Sequence, residues 1–214
     1  MITTKEMQDN DFLYDILNRH YFESYRTDDQ NSVLEIYVYG LCKSNCQYCY
    51  LKTHQKEIYP TELNDIPTII HNFELIIDWY IENKFICMLD FFSGEWLTTD
   101  LFEPMMQIMY DKFSKTKYRP KRILGADNMQ FLWDEERTNL IEYWFDKFEK
   151  DLNIIITLSA SVDGMFCDKD RVQGTEDFYN KLWAFCGKYD MRCHPMVSPN
   201  NVKKLDSKFF MVGK

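Results

Sequence analysis

Two periodicities alternate along this chain. Val33–Tyr39 is a β-branched and aromatic run, which predicts a strand. Ile66, Ile69, Ile70, Phe73, Ile76, Ile77, Tyr80 and Ile81 then recur at helical spacing. The short apolar run Phe85–Phe92 predicts a second strand. Leu101, Met105, Ile108, Met109 and Phe113 mark a second helix, with Pro104 near its first turn. Arg122–Ala126 is a weaker third strand, and Leu140, Ile141, Trp144, Phe145 and Phe148 form the next helical stripe. Asn153–Ser159 and Met191–Val197 predict a fourth and a fifth strand, on either side of a helix lined by Phe178, Leu182, Phe185 and Cys186. Ahead of all these, Lys5 to His20 predicts a leading helix. Strictly alternating β and α elements indicate an α/β fold with a parallel sheet and right-handed crossovers. Residues 1–32 are read as an N-terminal helical extension and 33–214 as the core; no repeat, linker or low-complexity tract divides them.

In parallel α/β sheets ligands bind beyond the carboxyl ends of the strands. The chemically unusual residues of this chain fall there. Strand 1 runs into Cys42, Cys46 and Cys49; strand 2 into Ser93-Gly94-Glu95; strand 3 into Asp127-Asn128. Strand 4 leads to Ser159-Ala160-Ser161-Val162-Asp163-Gly164 and strand 5 to Ser198-Pro199-Asn200. A single Asn or Ser after a strand is usually a turn residue. Four further polar loops on one rim beside a cysteine motif are harder to explain as turns alone.

The cysteines at C-x3-C-x2-C spacing carry most of the chemistry. Three thiolates on one loop can hold three corners of a four-iron cluster, leaving the fourth iron open. An open metal position is where a reactive ligand sits, as in catalytic zinc sites. Zinc itself is the competing reading, with His54 as fourth ligand, although zinc loops usually pair two distant clips. A disulfide framework fits poorly, because the chain has seven cysteines and the polar segment Met1 to Asn10 has no apolar h-region. No stretch reaches the length of a membrane span. The cytoplasm, where thiols stay reduced, is therefore the expected compartment. The net charge of −9 argues against a broad nucleic-acid or membrane surface. The run Lys115, Lys117, Arg119, Lys121 and Arg122 reads as a solvated loop. Cys87, Cys186 and Cys193 read as small buried hydrophobes, and Cys167 joins them in forming no compact motif.

The cysteine motif, with Tyr48 before its last cysteine, resembles the radical S-adenosylmethionine (SAM) superfamily. That resemblance implies a partial parallel (β/α) barrel, here with about five strands and the sixth missing. It implies a 4Fe-4S cluster on Cys42, Cys46 and Cys49, with SAM on the open iron. Ser93-Gly94-Glu95 corresponds to the family's Gly-Gly-Glu, which receives the methionyl ammonium, with serine in place of the first glycine. An ammonium has only donors, so a carboxylate and carbonyl oxygens suit it. Asn128 corresponds to the Asn of an Asn-Gly pair, with Met129 replacing the glycine. Ser161-Val162-Asp163-Gly164 is similar to the Ser-x-Asp-Gly segment of peptide- and protein-modifying members. Asp163-Gly164 leads through Asp168 and Asp170 to Arg171, which the resemblance implies holds the SAM carboxylate, while Ser161 touches the ribose or the amino-acid end.

The implied activity is reductive cleavage of SAM to a 5′-deoxyadenosyl radical that abstracts hydrogen from a substrate. A peptide or protein side chain is the preferred substrate, and a flavodoxin or ferredoxin the expected electron donor. A glycyl-radical-enzyme activase is the enzymatic alternative. A truncated or degenerate radical SAM module, acting as a non-catalytic binding or assembly protein, is the alternative of another class. The cysteine-rich C-terminal extension of peptide-modifying relatives, called SPASM, has no counterpart before Lys214. Strand 5 is expected to form an open edge, with Pro195 tolerated there and the tail through Phe209 and Phe210 covering it.

Overall fold

The structure is a computed structural model that describes residues 32–37, 42, 44, 46, 49, 65–91, 94–162, 175–189 and 191–193. Strands and helices alternate in it: β1 (Val33–Ile36), α1 (Ile66–Glu82), β2 (Met88–Phe91), α2 (Phe102–Phe113), β3 (Arg122–Asp127), α3 (Glu135–Lys147), β4 (Ile155–Ala160), α4 (Glu176–Lys188) and β5 (Arg192–Cys193). A 3-10 turn, Gln130–Trp133, precedes α3, and a π turn, Phe148–Leu152, ends it.

Local chemistry explains where the helices start. Asp65 Oδ2 accepts the Thr68 N–H at 3.0 Å, and Pro67 lies in the first turn, where its missing donor costs nothing. Asp134 Oδ1 caps α3 by accepting the Arg137 N–H at 3.0 Å. Thr175 Oγ1 caps α4 by accepting the Phe178 N–H at 3.3 Å. Each is a short polar side chain taking up one of the unpaired donors at a helix start.

All the strand pairings are parallel, in the order β1-β2-β3-β4-β5. Sequential order with crossovers of one hand puts every helix on the same side of the sheet. Burial follows this. Leu89, Phe91, Ile123, Gly125, Ile156, Leu158 and Ala160 point toward the helices and are buried. Their neighbours Asp90, Leu124, Ala126, Thr157 and Ser159 point the other way and are half-buried. A cleft of about 750 Å³ runs along β3 and β4, lined by these residues and also by Phe145, Glu149, Lys188 and Tyr189 from the helix side.

The helix side is filled by aromatic rings. Trp96 packs on Phe91 and Phe102, with centroids 4.9 and 5.6 Å apart, just below the loop that follows β2. Tyr80, fully buried, donates its hydroxyl to the Cys87 carbonyl at 2.7 Å and so fixes the return from α1 to β2. That bond explains why β2 starts at Met88 rather than Phe85. Phe85 to Cys87 form a buried connection, with the Phe85 N–H donating to the Tyr80 carbonyl. Asn153 is left-handed (φ 55°), so β4 begins after it, at Ile155. Asn128 and Ser161 follow β3 and β4 directly, as the strand pattern predicts. The basic run from Lys115 to Arg122 lies at the surface, and Arg119 Nη1 donates to the Phe113 carbonyl at the end of α2. The expected leading helix and the tail from Val197 onward lie outside the described residues, as does the question of a sixth strand.

Gly125 of β3 is closely flanked by its neighbours on β2 and β4. A Cβ there would sit 3.3 Å from Leu158 Cδ2 and 3.6 Å from the Phe91 carbonyl oxygen. Gly125→Val is expected to cost about 1–3 kcal/mol, because overpacking pushes the strands apart. Gly125→Ala should cost less, since the Leu158 methyl can give way. Denaturant midpoints of the two variants check the order.

Candidate functional site at the carboxyl rim of the sheet

Glu95, Asp127 and Asn128 are the buried polar residues among those described, and all three sit at the carboxyl ends of β2 and β3. Gly94 takes φ 66°, a left-handed conformation natural for glycine, and this turn sends Glu95 inward. Glu95 is 4% exposed; one carboxylate oxygen accepts the Asn128 N–H at 3.3 Å and the other has no partner. Asp127 is 2% exposed; Oδ1 accepts the Met129 N–H at 2.6 Å, and Oδ2 has no partner. Among the described residues no Lys or Arg forms an ion pair with either carboxylate.

Two buried carboxylates without a counter-ion resist ionisation. Burial pushes Glu95 well above the carboxylate range, and the neighbouring Asp127 pushes it further; the Asn128 N–H and the nearby Cys42 thiol oppose the rise. Asp127 is raised to about 7, chiefly by burial, with the Met129 N–H working against it.

The cysteine loop reaches this pair. The Cys42 thiol lies close enough to the Glu95 carboxylate for each to perturb the other's ionisation. The residue as a whole is exposed, yet its thiol end is enclosed enough that desolvation, and then the Glu95 charge, push it up to about 12. The Ser44 N–H points at Cys42 Sγ, 3.4 Å away. Ser44 Oγ in turn accepts from Asn128 Nδ2 at 2.6 Å and from Gln130 Nε2 at 2.8 Å. The Cys49 N–H closes a turn on the Cys46 carbonyl at 3.3 Å. Cys46 and Cys49 are half-buried. Ser161 joins from the other side, its N–H donating to the Asp127 carbonyl at 2.7 Å.

The rim thus brings together Cys42, Glu95, Asn128 and Ser161 of the residues the sequence singles out. Tyr48, Ser93, Asp163 and Arg171 lie outside the described residues, as do His54 and Cys167. Asn128 is engaged within the protein on three sides, because its Oδ1 also accepts the Gln130 N–H at 2.9 Å. Met129, which stands where the family pattern has glycine, adopts the glycine-like left-handed backbone (φ 64°) with its side chain fully buried. The roles of Ser44, Asp127 and Gln130 escape sequence reasoning. The signal for Asp127 is an acid ending a strand just before Asn128, a pattern that usually denotes a solvated turn.

Among the described residues no three His, Cys, Asp or Glu side chains converge where one metal ion could be held. A mononuclear site is therefore not preformed by Cys42, Cys46 and Cys49. Thiolates on a cubane each meet their own iron and need not converge on one point. Away from the rim, Cys87 and Cys186 are buried as expected; Cys193 is only half-buried. None of the described helices is long and apolar enough to cross a membrane. Comparison with protein-family models, with curated proteins and with solved structures finds no match to this chain.

The Asp127 carboxyl provides a pH test. Its folded-state value lies above the ordinary value near 3.9, so the native state holds an extra proton between about pH 4 and pH 7. Stability is then highest at the acid end of this window and falls as pH rises through it. Asp127→Asn keeps the acceptor for the Met129 N–H and removes the charge. It should weaken the decline and stabilise the chain at pH 7.5, on the order of 1–3 kcal/mol, with little gain at pH 4.5. Urea unfolding at both pH values measures this.

Proposed function

We propose that this chain is a radical SAM enzyme with a partial parallel barrel, holding a 4Fe-4S cluster on Cys42, Cys46 and Cys49. The observation that carries the reading is the cysteine loop docked on a buried carboxylate pair that has open acceptor positions and no counter-ion. A cationic ligand beside the cysteines is what such a pair lacks. The donor set fits the cluster, since thiolates are the usual ligands of iron–sulfur centres. It also fits SAM, whose ammonium offers three donors and whose sulfonium adds a second positive charge.

When bound, the cluster and SAM supply a carbon-centred radical able to abstract hydrogen. The chain's own residues do the binding. Cys42 must lose its proton to ligate. Glu95 keeps one carboxylate oxygen without a partner, and that oxygen is the position the SAM ammonium would take. The left-handed turn at Gly94 aims Glu95 at this position, and Trp96 packed beneath keeps the turn in register. Asp127 lowers the cost of bringing a cation into the buried site, because the pair is uncompensated without one. Ser161, tethered to the end of β3, is within the same loop cluster and suits the ribose or amino-acid end of SAM. Arg171 supplies a planar fork for the carboxylate.

The sequential strand order supports the barrel, because a sheet with helices on one side only buries its other face by curling. The half-buried Asp90, Leu124, Ala126, Thr157 and Ser159 would then face the interior that receives substrate. A peptide or protein side chain remains the proposed substrate class, on the strength of the Ser161-Val162-Asp163-Gly164 segment. A flavodoxin or ferredoxin is the proposed electron donor, and the cytoplasm the proposed compartment.

Anaerobic reconstitution should yield iron and sulfide in about equal amounts, and the loaded protein with reductant and SAM should form 5′-deoxyadenosine. Replacing Cys42, Cys46 and Cys49 together with Ala should abolish both. Glu95→Gln and Arg171→Lys should each weaken SAM binding about tenfold or more, which equilibrium dialysis against labelled SAM measures. Stoichiometric zinc with no iron after reconstitution would overturn the proposal.

A further inference from the structure

We propose that Gln130 and Ser44 are positioning residues for the metal loop: Gln130 and Asn128 clamp the Ser44 hydroxyl, and the clamp aims the Ser44 N–H at the Cys42 sulfur. A hydroxyl oxygen has two acceptor lone pairs. Both are filled here, by side-chain amides 84 and 86 residues away in the chain, at 2.6 and 2.8 Å. Among the described residues of this loop, Ser44 is the one that ties it to the end of β3. Its own N–H is 3.4 Å from Cys42 Sγ.

The other half of the clamp is rigid. Two consecutive side-chain turns define it. Asp127 Oδ1 accepts the Met129 N–H at 2.6 Å, and Asn128 Oδ1 accepts the Gln130 N–H at 2.9 Å. The second bond fixes which way the Asn128 amide faces, so its Nδ2 is presented to Ser44. Met129 is held left-handed between them, which starts the 3-10 turn and carries Gln130 back toward the cysteine loop. Phe131 and Leu132, the next two residues, are buried and anchor that turn in the core. Glu95 adds a bond from the loop after β2, accepting the Asn128 N–H at 3.3 Å.

A plain loop tether would need one hydrogen bond of any geometry. Two donors converging on one oxygen fix both the distance and the direction of the serine, and with it the N–H one bond away from its Cα. Hydrogen bonds to cluster sulfurs are among the main controls of reduction potential. The inference rests on the cluster reading for its purpose, although its geometry holds for the metal-free chain.

The test uses Ser44→Ala and Gln130→Met, with Ser44→Thr as the conservative control, all in the full-length chain. In the metal-free protein, hydrogen exchange of the backbone amides between residues 42 and 49 should accelerate tenfold or more in the first two variants and stay near the parent rate in Ser44→Thr. In the reconstituted protein, the first two should release iron to a chelator several-fold faster. Their midpoint potential should shift lower, because a lost N–H···S bond disfavours the reduced cluster. Unchanged exchange in both variants overturns the clamp. Faster exchange with an unmoved potential overturns the positioning role and leaves a structural tether. If the parent takes up no iron, the cluster reading fails by itself, and the exchange measurement alone decides the clamp.

Discussion

One constraint organises this molecule: every described strand runs the same way, and every crossover therefore returns the chain to the same end of the sheet. Groups separated by dozens of residues meet at the opposite end without any contact selected to bring them there. The end of β2 delivers Glu95, the end of β3 delivers Asp127 and Asn128, and the end of β4 delivers Ser161. Register adds the vertical alignment. Ile36, Phe91, Gly125 and Leu158 lie in one row, so the loops that follow leave from similar heights. A slip of one residue would turn Asp127 from the helix side to the open side. The rim depends on this alignment more than on any single bond within it.

Much of that order is legible in the amino-acid pattern because burial on one side of each helix leaves a clear period. Ile69, Phe73, Ile77 and Tyr80 are both the stripe read from the sequence and the buried side of α1. Strand ends are less legible. Phe85 and Asn153 have strand-like neighbours, but a buried tyrosine hydroxyl and a left-handed backbone, respectively, exclude them from β2 and β4. Such tertiary bonds have no local signature. The rim was legible as a set of loops, through Cys42, Glu95, Asn128 and Ser161. Its wiring was not. Nothing in the pattern distinguishes a buried, half-paired Asp127 from a turn aspartate, or links Gln130 to a serine 86 residues earlier. Met129 shows the same limit. Its side-chain burial and its glycine-like backbone are both required, and only one of them suits methionine.

The energetics of the rim are unbalanced by design of its contents. Neighbouring elements elsewhere neutralise their charges, as where Lys112 bridges α2 to Glu74 and Asp78 of α1. Such partly exposed pairs contribute modestly. At the rim two carboxylates are buried with one open oxygen each and no described cation paired to them. Burying such groups is tolerated in a native fold when something else supplies the missing donors. The surrounding amides of Asn128 and Met129 supply part, and the remainder is what a ligand would bring.

The raised Asp127 carboxyl has a further consequence for whatever occupies the rim. Near neutral pH it is only partly ionised, so an arriving cation does not enter an empty anionic site. It exchanges with a proton. In the range where the carboxyl is mostly protonated, apparent affinity for a cation rises about tenfold for each unit of pH, and binding acidifies the solution. The heat of binding would then depend on the buffer that takes up the released proton, so the rim titrates its own occupancy.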